Sequence, residues 1–377
     1  MVGFIAAGSV EAHGSHDRHH RHSQRHTTTR TCEDAPHVTS RPWPVTSKST
    51  ATLTSQSTTT SATSSTTSSK APVASPSASA GPYKLTKEYS GANFFDGWQF
   101  FTEEDPTEGQ VEYVSRSEAQ QAGLISADAN SITMRVDNRS KLGPGEKRKS
   151  VRIESTEPAE IGSLILADIV RMPWGCATWP AWWSYGVPDW PSGGEIDVIE
   201  GVNLDAKNII SLHTDGEGCA VPKKPDVRGA IIAENTQCDV QSGNGGCSYS
   251  GGRDSYGQTF NAGGGGVMAT LFTEDEITIW FFARAQIPEN VSSGAPDVST
   301  WGKPTATWSK SSCDISRMFA AQRLIFNISL CGNYAGVADV WAQTCASKAA
   351  TCSEYLMDPS HFDEAIWEVK SVKVYSV

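Results

Sequence analysis

Short runs in which apolar and polar residues alternate recur through the C-terminal three quarters of the chain, each bounded by glycine or proline. Residues 131–136, 150–154, 162–170, 209–213, 267–271, 276–283 and 367–375 are of this kind, and all are rich in β-branched or aromatic side chains. A period of two sends successive side chains to opposite faces of a strand, so each run predicts a strand with one face against a core. Helical periodicity is confined to short stretches near residues 314–322 and 359–365. Many short strands with few helices predict an all-β sandwich rather than a βαβ fold.

Upstream of residue 81 the pattern stops. Of the 24 residues from 46 to 69, 19 are Ser or Thr, and the stretch lacks the apolar surface that would offset its ordering entropy. Residues 38–80 are therefore expected to be a disordered linker or O-glycosylated stalk. Residues 1–37 form a separate segment holding seven of the nine histidines, whose irregular spacing favours a flexible basic tail over a metal site. The apolar run at residues 2–8 could be a signal-peptide remnant. This leaves residues 81–377 as the expected globular domain.

Within that domain, Gly193-Gly194-Glu195-Ile196-Asp197-Val198-Ile199-Glu200 packs three carboxylates among branched aliphatics. Like charges this close raise at least one pKa, which is useful where one carboxyl must stay protonated while another is ionised. Glu195 and Asp197 share a face of any strand. Glu200 would point the other way unless a β-bulge between Asp197 and Glu200 restores it. A solvated acidic face is a poor alternative, because the intervening Ile196, Val198 and Ile199 suit a strand anchored in a core.

The tryptophan-dense run Met172-Pro-Trp-Gly-Cys176-Ala-Thr-Trp179-Pro-Ala-Trp182-Trp183, then Trp190-Pro and the Glu-x-Asp-x-x-Glu signature, resembles the fungal laminarinase branch of glycoside hydrolase family 16. Residues 93–101, Leu212-His213-Thr214, residues 279–282 and Cys331-Gly332 support the likeness, which extends over residues 83–377. It implies a β-jelly-roll sandwich of the concanavalin A-like kind and retaining, endo-acting hydrolysis of β-1,3- or mixed β-1,3/1,4-glucan. Glu195 would be the nucleophile, Glu200 the general acid/base and Asp197 the helper between them. No cofactor is required, and a structural calcium ion is not readable. The same residues would serve a transglycosylase, and the same sandwich a non-catalytic β-glucan-binding protein, which would have no use for the carboxylate triplet.

Aromatic faces stack on the C–H faces of pyranose rings. Trp183 and Trp190 are expected as walls of the sugar cleft, and Trp98, Trp280 and Trp367 as core, with Trp179 and Trp182 undecided. The resemblance also places a histidine in the cleft, which makes His213 a substrate-binding candidate. It leads one to expect Trp where Tyr334 stands. The glycine cluster at residues 263–266 lacks a following Lys-Ser/Thr and reads as a tight turn rather than a phosphate loop.

Charge excludes one class of partner. The first 80 residues carry seven Lys/Arg against four Asp/Glu, so of the chain's net charge of −11 the remainder holds −14. An acidic body with no basic stripe is not built for nucleic acid. No run approaches the ~20 apolar residues of a membrane span. Eight of nine cysteines lie in the globular part, an even number compatible with four disulfides of open connectivity, and no C-x-x-C pair suggests zinc. Together with sequons at Asn138, Asn290 and Asn327, they point to a secreted protein, which is also expected to be a monomer. Cys32 stands alone in the tail.

Overall fold

The computed structural model describes residues 82–243 and 245–376. The histidine tract, the Ser/Thr-rich stretch, Cys32 and the apolar N-terminal run lie outside the described residues.

Two antiparallel sheets of eight strands each form the body. One runs in the order Ala306–Ser309, Glu276–Ala283, Gly266–Phe272, Ser163–Arg171, Ile366–Ser376, Ile132–Arg135, Ile125–Ala127, with Lys84–Ser90 also paired to Ile366–Ser376. The other runs Ala230–Ile231, Cys247–Ser250, Ile209–His213, Glu195–Glu200, Thr178–Gly186, Gln322–Leu330, Arg152–Ser155, Trp98–Phe100. All the alternating runs of the sequence are strands, and the architecture is the expected all-β sandwich.

Two central strands of the second sheet were not among the expected runs. Thr178–Gly186 and Gln322–Leu330 are buried along nearly their whole length. In Thr178–Gly186 one face meets the core and the other carries Trp179, Trp183 and Tyr185, so polar residues mark no face, whereas in Gln322–Leu330 Arg323, Asn327 and Ser329 do alternate with the core residues Leu324, Phe326, Ile328 and Leu330. The helix expected over residues 314–322 correspondingly stops early. Only Ile315–Met318 is helical, and Gln322 already opens the strand.

The core lies between the sheets, with Phe326 near its centre. Its ring stacks on Trp182 at 4.2 Å and meets Trp367, on the opposite sheet, edge-on at 5.3 Å. The Trp367 indole N–H donates to the Asn327 carbonyl at 3.0 Å, tying the layers by a polar bond as well. Trp98 joins this core. Trp280 is buried too, but in a separate cluster with Phe282 and Trp301 on the outer face of the first sheet. The glycine cluster is a turn, with Gly264 and Gly265 at φ of +75° and +74°.

Four disulfides staple the loops: Cys176–Cys345, Cys219–Cys313, Cys238–Cys247 and Cys331–Cys352. Two of them fix the helical segment 332–356 to the second sheet. No helix among the described residues is long and apolar enough to cross a membrane.

Candidate active site

The three acids sit on the strand Glu195–Glu200, inside the second sheet. Its entry is a close approach of backbones: the Gly186 N–H donates to the Gly194 carbonyl at 2.8 Å, and a Cβ on Gly193 would lie 2.6 Å from the Gly186 backbone. The Gly-Gly pair before Glu195 is thus a packing requirement.

The expected bulge is present. On one neighbour, Glu195, Asp197 and Glu200 oppose His213, Ser211 and Ile209; on the other they oppose Tyr185, Trp183 and Ala181. Five steps along the acidic strand match four on each partner, so all three carboxylates emerge on one face. Ile196 and Ile199 turn into the core.

Asn208 holds the bulge open. Where the ladder to Ile209–His213 is interrupted, its side-chain amide donates to the Val198 carbonyl at 2.7 Å while its carbonyl accepts the Glu200 N–H at 2.9 Å. One buried carboxamide therefore replaces two lost backbone bonds. Nothing in the local sequence around Asn208 signals this, because the need for it arises on another strand.

Glu195, Asp197 and Glu200 line a pocket with Trp179, Trp183, Arg152, Asp105 and Asn327. Alternation along Thr178–Gly186 settles the tryptophans: Trp179 and Trp183, four apart, face the acids, and Trp182 faces the core. Trp179 donates its indole N–H to Glu200 Oε1 at 2.9 Å, and Trp190 donates to Glu195 Oε2 at 2.5 Å. His213 Nε2 lies 3.1 Å from Asp197 Oδ2. All six residues picked out in the sequence thus converge, except that Trp183 reaches the pocket wall without bonding an acid. Its indole N–H goes to Asn327 Oδ1 at 2.8 Å.

That bond reassigns one sequon. Asn327 is committed to the pocket wall between Trp183 and the Tyr113 hydroxyl rather than offered as a glycan acceptor. Arg152 and Asp105 were not anticipated. The Arg152 guanidinium lies 4.3 Å from the Phe101 ring centre and 5.2 Å from that of Trp183, and it pairs with Glu154 at 2.8 Å. Asp105 accepts from the hydroxyls of Thr107 and Ser329. Tyr334, where Trp was expected, packs edge-on against Trp179 at 5.3 Å.

Electrostatics divides the acids. Burial, then the neighbouring charges of Glu195 and Glu200 and a hydrogen bond with Glu195, hold the Asp197 pKa well above the usual carboxylate range. Burial also pushes Glu200 up, opposed by the Trp179 hydrogen bond and by His213. Asp197 and Glu200 thus both hold their protons to higher pH than ordinary carboxylates. One ligand atom from each of Glu195, Asp197 and His213 lies within 4.8 Å of the others, close enough to hold a cation.

The catalytic-domain description of glycoside hydrolase family 16, XgeA-like, matches residues 98–375. A probable endo-1,3(4)-beta-glucanase of Neosartorya fischeri is 44% identical over 303 residues, covering 78% of this chain and 45% of the relative. The chain spans between 40% and 70% of the length of the curated relatives it matches. Laminarinase 16A from Phanerochaete chrysosporium, solved with 6-O-glucosyl-laminaritriose in donor and acceptor sites, superposes with a TM-score of 0.74 at 37% identity, over 78% of this chain and 99% of that one. An elongating family 16 beta-1,3-glucosyltransferase gives 0.73 at 38% identity, over 78% of this chain and 100% of that one. With its acidic strand, its bulge and this matched span of sequence and fold, the chain belongs to glycoside hydrolase family 16.

Proposed function

We propose that the protein is an endo-acting, retaining hydrolase of β-1,3- or mixed β-1,3/1,4-glucan. The observation that carries this reading is the convergence of Glu195, Asp197 and Glu200 on one face of a bulged strand, walled by Trp179 and Trp183. In the first step the Glu195 carboxylate attacks the anomeric carbon as Glu200 gives its proton to the departing glycosidic oxygen, leaving a glycosyl ester on Glu195. In the second, Glu200, now a carboxylate, takes a proton from water, whose oxygen displaces Glu195 from the sugar. Of the two acids whose pKa is raised by burial, Glu200 is the one these steps require to start protonated. Asp197, with its pKa raised, would keep its proton and donate it in a hydrogen bond to Glu195, while its Oδ2 lies 3.1 Å from His213 Nε2. Trp190 fixes Glu195 Oε2.

One copy of the chain holds every group these steps use, which supports a monomer that needs no cofactor. Four disulfides support an extracellular setting. Interception of the glycosyl ester by a sugar hydroxyl instead of water would give chain elongation, and the likeness to a glucosyltransferase favours keeping that second reading.

Product analysis on laminarin and on lichenan, with Glu195→Gln as control, tests the reading. Short oligosaccharides of β-anomeric configuration, from the wild type alone, are expected. Products longer than the substrate would transfer the assignment to the glucosyltransferase; binding without cleavage would leave a lectin-like protein.

A further inference from the structure

A second aromatic pocket lies outside the carboxylate cleft. Its space of about 240 Å³ is lined by Trp174, Leu204, Lys348, Tyr355, His361 and Glu364, over the Cys176 end of a disulfide. Leu204 stands four residues beyond Glu200, so the pocket borders the loop that leaves the acidic strand.

The chemistry of this lining is that of a sugar site. Tyr355 and His361 stack face to face, with ring centres 3.8 Å apart and planes 12° from parallel, and His361 Nδ1 lies 2.8 Å from the Tyr355 carbonyl, which locks the pair. Trp174 supplies a second flat surface. It is seated against Gly257, where an added Cβ would come within 2.3 Å of the indole, and its backbone N–H is held by the Glu364 carbonyl at 3.2 Å. Its indole N–H meets no acceptor among the described residues; the same holds for Trp98, Trp182 and Trp308, but those three indoles are buried in the core, whereas Trp174 borders open space. Trp174, Tyr355 and His361 are only half-buried. Rigid aromatic faces beside an unused N–H donor, with Lys348 and Glu364 at the rim, suit a ring that is apolar on its faces and hydroxylated at its edge. The size is too small for most larger ligands and fits one monosaccharide unit.

We propose that this pocket is an accessory binding site for a single glucosyl residue of a β-glucan, engaged by a chain or side branch that runs beyond the carboxylate cleft. The proposal rests on the β-glucan reading above. Such a site adds a second point of attachment and so acts on long substrates selectively.

The test uses the full chain. Trp174→Ala should raise KM on polymeric laminarin by roughly 2- to 10-fold, the worth of one aromatic contact, with kcat held. A short chromogenic laminarioligosaccharide should show less than half of that change. Lys348→Ala, at an exposed position that cannot unfold the core, should move the polymer KM in the same direction by less. Equal losses on short and long substrates, or an unchanged polymer KM in both variants, would overturn the site. Affinity electrophoresis of the Glu195→Gln protein in laminarin gels, with and without Trp174→Ala, separates the two readings. Retardation that depends on Trp174 in a protein whose parent cleaves neither glucan would keep the accessory site and remove the hydrolase; retardation unaffected by Trp174 would remove the site alone.

Discussion

The indole N–H of Trp179 and the carboxylate of Glu200 are joined by a 2.9 Å hydrogen bond across two neighbouring strands. It stabilises the ionised form and so opposes the burial that raises the Glu200 pKa. Trp179→Phe removes that opposition. With Glu200 as the proposed acid, activity is expected to fall as it loses its proton on the alkaline side, so the alkaline limb of the kcat/KM profile should move to higher pH. A limb that stays put or moves down would refute the role given to Trp179.

Asp197 couples activity to stability in opposite directions. Its folded pKa is raised, so the folded state holds a proton that the unfolded chain releases, and stability is lost as pH rises from the ordinary aspartate value through the folded one. Asp197→Asn has no such penalty. It should therefore raise Tm at pH 7 and do so little at pH 4, each pKa unit being worth about 1.4 kcal/mol, while lowering kcat. Melting curves at the two pH values check the sign.

Asn208 is a positioning residue, acting on Glu200 through the bulge. Asn208→Ala leaves the Val198 carbonyl and the Glu200 N–H buried without partners, at about 1–3 kcal/mol each. Asn208→Asp keeps the acceptor for Glu200. We expect kcat to fall in the alanine variant with KM little changed, and partial recovery in the aspartate variant. Equal kcat in the two, despite different melting points, would make the role structural only.

Glu200→Gln should lower turnover of polysaccharide by about 10²–10⁴-fold, the usual share of general acid catalysis. Aryl glycosides whose leaving groups need no proton should retain most of their first-step rate. Burst kinetics on such a substrate distinguish loss of the acid from loss of the nucleophile.

The disulfide Cys176–Cys345 closes a sequence separation of 169 residues. Loop-closure entropy then predicts about 5 kcal/mol lost on replacing both cysteines by alanine. Denaturant unfolding measures it, and a loss below about 1 kcal/mol would show that the remaining links already restrain the segment.

Legibility followed burial. Runs with one face against the core, such as Ile132–Arg135, alternate buried and part-exposed positions and could be read directly. Thr178–Gly186 could not, because both its faces are covered and Trp179, Trp182 and Trp183 differ only in which layer they meet. Once the strand is known, counting in twos separates them. Asn327 carried a visible signal, its sequon, but the signal pointed to glycosylation and not to the cleft.

By itself the sequence determined the sandwich, the acidic strand and the necessity of a bulge, because strand periodicity and charge repulsion act between residues close along the chain. Only the tertiary structure decided that Asn208 holds the bulge, that Trp179 bonds Glu200, that Arg152 lies beside Trp183, and which cysteines pair. Those relationships join residues brought together by sheet order, and local sequence carries no record of which strand will lie beside which.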